Sequence, residues 1–177
     1  EMACGEFGEG KMSSPRQIYA HLKNYFDKKN TVKIKNYKAL VTTGPTREYL
    51  DPVRYISNES SGKQGCEIAI ALDRLGVKTT LITGPSNFIL PKSIKVKKII
   101  SADQMLDNVK KIMPVDLAVC AAAVSDLKPQ ERSKAKIKKT DLNFKSINFV
   151  KNNDILEYIS KNNKHRPRLV AGFSAET

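Results

Sequence analysis

DLAVCAAA, residues 116–123, is small or aliphatic at every position after its leading aspartate. It lacks the polar alternation of a strand with one wet face, so it predicts a parallel strand covered on both sides. Outward from it the chain repeats strand and helix. Upstream, ALVTT at 39–43 reads as a short buried strand, and 63–75 as a helix with Ile68, Leu72 and Leu75 on one face and Gly76 as its stop. VKTTLIT at 77–83 is a second strand, closed by Gly84-Pro85, and IKVKKII at 94–100 a third with alternating apolar positions. SADQ at 101–104 is a capping box that opens a helix to about Met113. Downstream, residues 153–160 predict a helix, and 168–173, after Pro167, a fifth parallel strand. Between them AKIKKTDLNFKSINFV, residues 135–150, alternates on either side of Thr140-Asp141 and reads as an antiparallel hairpin arm. The sum is an α/β chain with a doubly wound, Rossmann-like, mostly parallel sheet, helices on both faces and a protruding β-hairpin.

In such a sheet a ligand sits beyond the carboxyl ends of the strands, where strand order reverses. The first and fourth strands would flank that crevice, and they lead into TGPTREYLDPVRYISNESSGK and AAAVSDLKP. These loops are the least core-like in the chain. Within the first, RYISNESSGKQG (54–65) offers Asn58, Ser60 and Ser61 as helix N-caps and Gly62 for close backbone approach, ahead of a helix whose free N–H groups suit an anion. Two named motifs fail here. Gly62-Lys63 is followed by Gln64, which has no hydroxyl for magnesium, and Ser57 stands where a Walker loop has glycine; G-x-G-x-x-G is absent.

The 177 residues are one domain's length, and 40% hydrophobic content fits an ordinary core. Residues 1–14 hold three glycines in a loop, and Pro15, Ile18, Leu22, Tyr25 and Phe26 predict a helix ending near Asp27. DKKNTVKIKN is a polar linker, which sets a boundary near residues 30 to 37. The net charge of +13 invites a nucleic-acid partner, yet seven Arg against 24 scattered Lys, 7% aromatics and no Trp describe solvated lysines and no base reader. Cys4, Cys66 and Cys120 are widely spaced, which excludes a disulfide scaffold or a zinc site. No apolar run approaches a membrane span and no signal peptide opens the chain, so it reads as cytoplasmic. His21 and His165 have no partners in the pattern and read as surface residues.

Five motifs, VTTGPTREYLDPVRYISNESSGKQG, CAAAVSD, KIKK at 136–139, VKNNDIL and GFSAET, occur in an order and spacing that resemble bacterial phosphopantothenoylcysteine synthetase. The resemblance covers about residues 38 to 177. ACGEFGEGKM near the start resembles the closing segment of the flavin enzyme phosphopantothenoylcysteine decarboxylase, fused ahead of the synthetase in many bacteria, and Cys4 matches its proton-donor cysteine. This implies two parts: residues 1–36 as decarboxylase tail plus linker, with FMN belonging to the missing bulk of that domain, and 37–177 as a ligase domain lacking its C-terminal end. The family's later lysines, which hold the triphosphate, would lie beyond Thr177. The 177 residues alone are therefore expected to bind CTP weakly and not to turn over.

The family joins 4'-phosphopantothenate to cysteine, using CTP to form an acyl cytidylate. Position by position, the resemblance implies nucleotide contacts at Cys120, Ala121 and Ala122, at Asp126, at Lys136, along Asn153, Asp154, Ile155 and Leu156, and at Phe173. Asn58 falls on the acyl-intermediate site, Ser60, Ser61 and Gly62 on the phosphate loop, and Lys136 on the catalytic cation. Magnesium is expected with the triphosphate, its protein ligands unknown. A homodimer is implied, with the 135–150 arm crossing to the partner, and a higher oligomer in the full fusion. Asn153 departs from the family's usual Pro, which leaves the start of that helix less rigid, and Gln64 replaces a common Met. By composition alone Asp126 also reads as a solvated loop acid, Phe173 as core, the alanines as strand packing and Lys136 as one exposed lysine among many. The rival functions are a dinucleotide-dependent reductase on a similar sheet and a basic nucleic-acid-binding module. The missing glycine fingerprint disfavours the first, and the scattered lysines the second.

Overall fold

The structure, a computed structural model, describes residues 13–29, 34, 36–138, 147–161 and 164–174. Two compact units, 1–33 and 34–177, make up the chain. The first contributes helix α1 (Pro15–Lys29), which continues two residues past the expected end. Ser14 and Gln17 cap it reciprocally: Gln17 N–H donates to Ser14 Oγ at 3.3 Å and Ser14 N–H to Gln17 Oε1 at 3.0 Å.

The second unit begins with β1 (Lys38–Thr43), buried from Ala39 onward. A two-residue ribbon follows, β2 (Glu48–Tyr49) against β3 (Tyr55–Ile56), inside what the sequence presents as plain loop. Next come α2 (Lys63–Arg74), β4 (Lys78–Thr83), β5 (Lys95–Lys98), α3 (Ala102–Ile112) and β6 (Leu117–Cys120). A second ribbon, β7 (Leu127–Pro129) against β8 (Phe149–Lys151), precedes α4 (Ile155–Ser160) and β9 (Leu169–Gly172). Among the described residues the main sheet has the order β5-β4-β1-β6-β9, and every pairing in it is parallel.

Strand pleating sends alternate residues of β1 to opposite faces, and two cores result. Leu40 joins Ile82, Met105, Val109, Ala118, Ile155 and Ile159 under α3 and α4. Val41 joins Leu81, Val119, Cys66 and Ala69 under α2. Each fully buried Leu or Ile contributes about 1.5–3 kcal/mol relative to exposure, so the sheet is held from both sides, as a doubly wound arrangement requires. The chain moves from β1 outward to β4 and β5, then crosses back to β6. Strand order therefore reverses between β1 and β6.

The predicted capping box is present: Ser101 Oγ accepts from Gln104 N–H at 3.3 Å, and Gln104 Oε1 accepts from Ser101 N–H at 3.4 Å. Replacing Ser101 by Ala is expected to cost about 1 kcal/mol, seen as a lower urea midpoint at unchanged slope. Edge strand β5 is shorter than expected and exposed at each of its four residues, with Lys95, Lys97 and Lys98 on it. Such lysines discourage edge-to-edge pairing.

Three expectations need correction. The serines of the 54–65 turn are not the N-cap of α2; Gly62 is, with φ 74° and no side-chain cap. The reason is space, since a Cβ there would approach Gly44 Cα to 3.1 Å. The helix predicted from Asn153 starts at Ile155, because Asp154 is its N-cap and accepts Glu157 N–H at 2.8 Å. The antiparallel arm begins upstream, at Leu127 paired with Lys151, and residues 135–138 form no strand. The predicted turn at Thr140-Asp141 lies outside the described residues, as does Lys139.

Candidate functional site

The carboxyl end of β1 is built for close approach. Gly65, in the first turn of α2, rests directly on it: an added Cβ would fall 2.4 Å from Thr43 Cβ. Thr43 Oγ1 donates to Gly62 O at 2.7 Å, tying that turn to the strand. Ser60 Oγ accepts from Gly62 N–H at 3.2 Å and Ser61 Oγ from Lys63 N–H at 3.3 Å, so both serines shape the turn ahead of the helix. Asn58 reaches across, its Nδ2 donating to Val124 O at 3.0 Å. One side chain thus ties the loop after β1 to the loop after β6.

Beside this junction lies a cleft of about 410 Å³. Of the residues expected to meet a nucleotide, Cys120, Ala122, Asp126, Asn153, Asp154, Ile155, Leu156 and Phe173 line it. Ala121 does not line it; its N–H donates to Thr42 O at 3.0 Å and extends the β1–β6 pairing. Phe173 is 51% exposed and not core, and its N–H donates to Cys120 O at 3.0 Å. Asn58, Ser60, Ser61 and Gly62 stand outside the lining, Asn58 meeting it only through its bond to Val124 O. Lys136 lines a different cavity of about 580 Å³, with Leu50, Arg132, Ser133 and Asn148. Cys4 falls outside the described residues.

The sequence reading missed part of the lining. Thr42, Val124, Ser125, Lys151, Asn152 and Ser174 also face the cleft. Asn152 is 7% exposed and acts as a clasp: its N–H donates to Asp126 O at 2.7 Å and its Nδ2 to Ser125 O at 3.1 Å. Asn153 Nδ2 donates to Asp103 Oδ1 at 2.8 Å, and Lys128 Nζ pairs with both oxygens of the same carboxylate at 2.7 and 2.6 Å. A hydrogen bond to α3 thereby holds the turn before α4 at the residue where the family's ring is missing. Adjacency to Asn153 was the available signal for Asn152.

Also missed was Asp51, fully buried. Its Oδ1 accepts from the N–H groups of Val53 and Arg54, both at 2.8 Å, and its Oδ2 from Arg54 Nε at 3.0 Å and Ile137 N–H at 3.2 Å. Arg54 Nη2 donates to Ile137 O at 2.8 Å. Ile137, inside the KIKK segment, is therefore fastened by this pair, which is why residues 136–138 are not in a ladder and why strand alternation does not orient Lys136.

The Arg54 guanidinium, helped by the backbone donors, holds the Asp51 carboxyl well below its ordinary range. A depressed folded-state pKa stabilises fully above the unfolded value near 3.9 and loses that contribution as pH falls toward the folded one. Between about pH 6 and pH 2 the melting temperature of the parent is thus expected to fall further than that of Asp51→Asn. Parallel melting profiles would contradict this. In the cleft, burial pushes the Cys120 thiol up to about 11, against a lowering hydrogen bond from Thr42 and with a further raise from Asp154. Cys120 is then a neutral wall at pH 7, and no nucleophile.

The arrangement can take a flat or sugar-like group against small side chains and backbone, with Asp126 as an acceptor and Lys151 as a cation. No cluster of three or more His, Cys, Asp or Glu capable of holding a metal exists among the described residues. Nor is any described helix long and apolar enough to cross a membrane.

Residues 34–177 match the family described as the DNA/pantothenate metabolism flavoprotein C-terminal domain. The coenzyme A biosynthesis bifunctional protein CoaBC of Haemophilus influenzae is 41% identical over 176 residues, covering 99% of this chain and 43% of that protein. The protein of that name from Vibrio vulnificus is 40% identical over 179 residues, covering 100% of this chain and 44% of its own length. A crystal structure of the C-terminal domain of CoaBC superposes with a TM-score of 0.70 at 32% identity, covering 83% of this chain and 68% of that one. The chain spans less than half the length of the curated relatives it matches. On the matched residues, the identity and the shared sheet, the chain belongs to the DNA/pantothenate metabolism flavoprotein C-terminal domain family.

Proposed function

We propose that the chain carries the phosphopantothenate–cysteine ligase function of coenzyme A biosynthesis, with CTP as the activating nucleotide. The observation that carries this reading is the cleft at the β1–β6 reversal, which gathers Cys120, Ala122, Asp126, the 153–156 turn and Phe173 from three separate chain segments. The names of the bifunctional relatives support it.

In the proposed reaction the carboxylate of 4'-phosphopantothenate attacks the α-phosphorus of CTP; the P–O bond to pyrophosphate breaks and an acyl cytidylate forms. The cysteine amine then attacks the acyl carbon and CMP leaves, the amine proton passing to solvent or phosphate. Both steps build negative charge, so fixed donors and cations lower the barriers. Ala122 and the backbone beside it let the nucleoside lie close. Asp126, whose carboxylate has no hydrogen-bond partner among the described residues, offers oxygens to the sugar or to magnesium shared with the phosphates. Magnesium would neutralise phosphate charge. Asn58, fastened to Val124 at the cleft's edge, keeps one amide hydrogen for an acyl oxygen.

Lys136 lines a cavity other than the cleft of its own chain. We propose that it serves the cleft of a second copy in a homodimer, with the arm crossing over. The domain division follows the same reading: residues 1–36 are the tail and linker of a decarboxylase whose FMN site and higher-order assembly lie in the rest of a longer cytoplasmic fusion, and Cys4 is its proton donor.

Calorimetric titration tests the reading. CTP is expected to bind, ATP and NADPH far more weakly, and retention on heparin to vanish at moderate salt. Preference for NADPH would indicate a reductase, and heparin retention at high salt a polyanion-binding module.

A further inference from the structure

We infer that Lys151 is the cation which the cleft itself presents to the phosphates of its nucleotide. This rests on the proposed nucleotide-binding role of the cleft and adds a residue to it. Among the cleft's lining residues, Lys151 is the one lysine or arginine, and it shares that lining with two carboxylates, Asp126 and Asp154. Asp154 is occupied in part as the N-cap of α4. Without Lys151 the only charged side chains that a nucleoside triphosphate would meet in this lining are the two carboxylates, whose repulsion a half-enclosed space strengthens.

The lysine is held in place by its backbone. Lys151 pairs with Leu127 in the β7–β8 ribbon, and the next residue, Asn152, is clasped to Asp126 O and Ser125 O. Its Cα is thus fixed against the wall that carries Asp126, while the long side chain stays exposed. A compact ammonium on a flexible stem suits a phosphate that shifts during reaction. Three other cations of the domain are engaged in ion pairs. Lys128 pairs with Asp103, Lys161 with Glu157 and Arg54 with Asp51, whereas Lys151 has no ion pair among the described residues. Lys95, Lys97 and Lys98 on the β5 edge are exposed, and Lys151 differs from them in lining a cleft.

The test titrates the protein with CTP and, separately, with cytidine, which lacks the phosphates. For Lys151→Gln we expect CTP affinity to fall about tenfold or more and cytidine affinity to stay unchanged, with Lys151→Arg recovering most of the loss. Lys98→Gln, on the exposed sheet edge, should leave both affinities as they are. Unchanged CTP affinity in Lys151→Gln overturns the inference, and so does an equal loss for CTP and cytidine, which would mean a structural role. Failure of the underlying reading looks different: the unaltered protein would bind neither ligand, and the inference would fall with it.

Discussion

Lys136→Gln is expected to abolish pyrophosphate release from CTP and phosphopantothenate, even without cysteine, in a chain extended to the length of its relatives. Attack of a carboxylate on an anionic triphosphate is opposed by charge, and loss of one cationic donor from such a transition state costs about a hundredfold to a thousandfold in rate. Lys139→Gln, at the other end of KIKK, should do little. The backbone around Lys136 is anchored through Ile137 to the buried Asp51–Arg54 pair, so the position of this lysine is set by the fold and is not that of a loose tether. Because Lys136 and the cleft are separate in one chain, the experiment can go further. Mixed dimers of Lys136→Gln and Asn58→Asp chains should recover activity at one intact site, as an isologous dimer with crossing arms requires. Equal, mild effects of the two lysine substitutions would mean that KIKK is only a charged arm. No recovery on mixing would place the lysine and the asparagine in the same site of one chain.

Asn58→Asp should lower turnover by about a hundredfold while shifting the melting temperature little. The substitution turns the donor to Val124 O into an acceptor, and under the proposed mechanism it sets a carboxylate beside the acyl oxygen that gains negative charge. Helix α2 should survive, since its N-cap is Gly62 and Asn58 makes no cap bond. Turnover and thermal unfolding of the same preparation check this together. Unchanged turnover would remove Asn58 from the mechanism, and a large melting shift would make its role structural.

The sheet was legible because its strands are short apolar runs separated by helices with clear caps, as at Ser101–Gln104 and Gly76. Strand order made the β1–β6 crevice an inference from topology; Thr42 and Cys120, near the ends of those strands, do line the cleft, but its other walls come from the loop after β6, residues 151–156 and the end of β9, and none from the loop after β1. What escaped depends on contacts far apart in sequence. Gly62 takes the cap from the serines because the backbone of Gly44 is 3.1 Å from where a Cβ would sit, which no local pattern records. The KIKK segment looks like a strand by alternation, yet Asp51, 86 residues earlier, takes its amide. Ribbon β2–β3 is two residues wide on each side, too short for any period. Lys151 was hidden among 24 lysines, and only its place in the cleft separates it from the rest.

A crystal structure of the protein with CTP tests the central claim most directly. The account predicts the cytidine in the cleft formed by the loop after β6, residues 151–156 and the end of β9, against Ala122, Asp126, residues 153–156 and Phe173. CTP lodged in the cavity beside Arg132 and Lys136 of the same chain, with the cleft left to solvent, would contradict it.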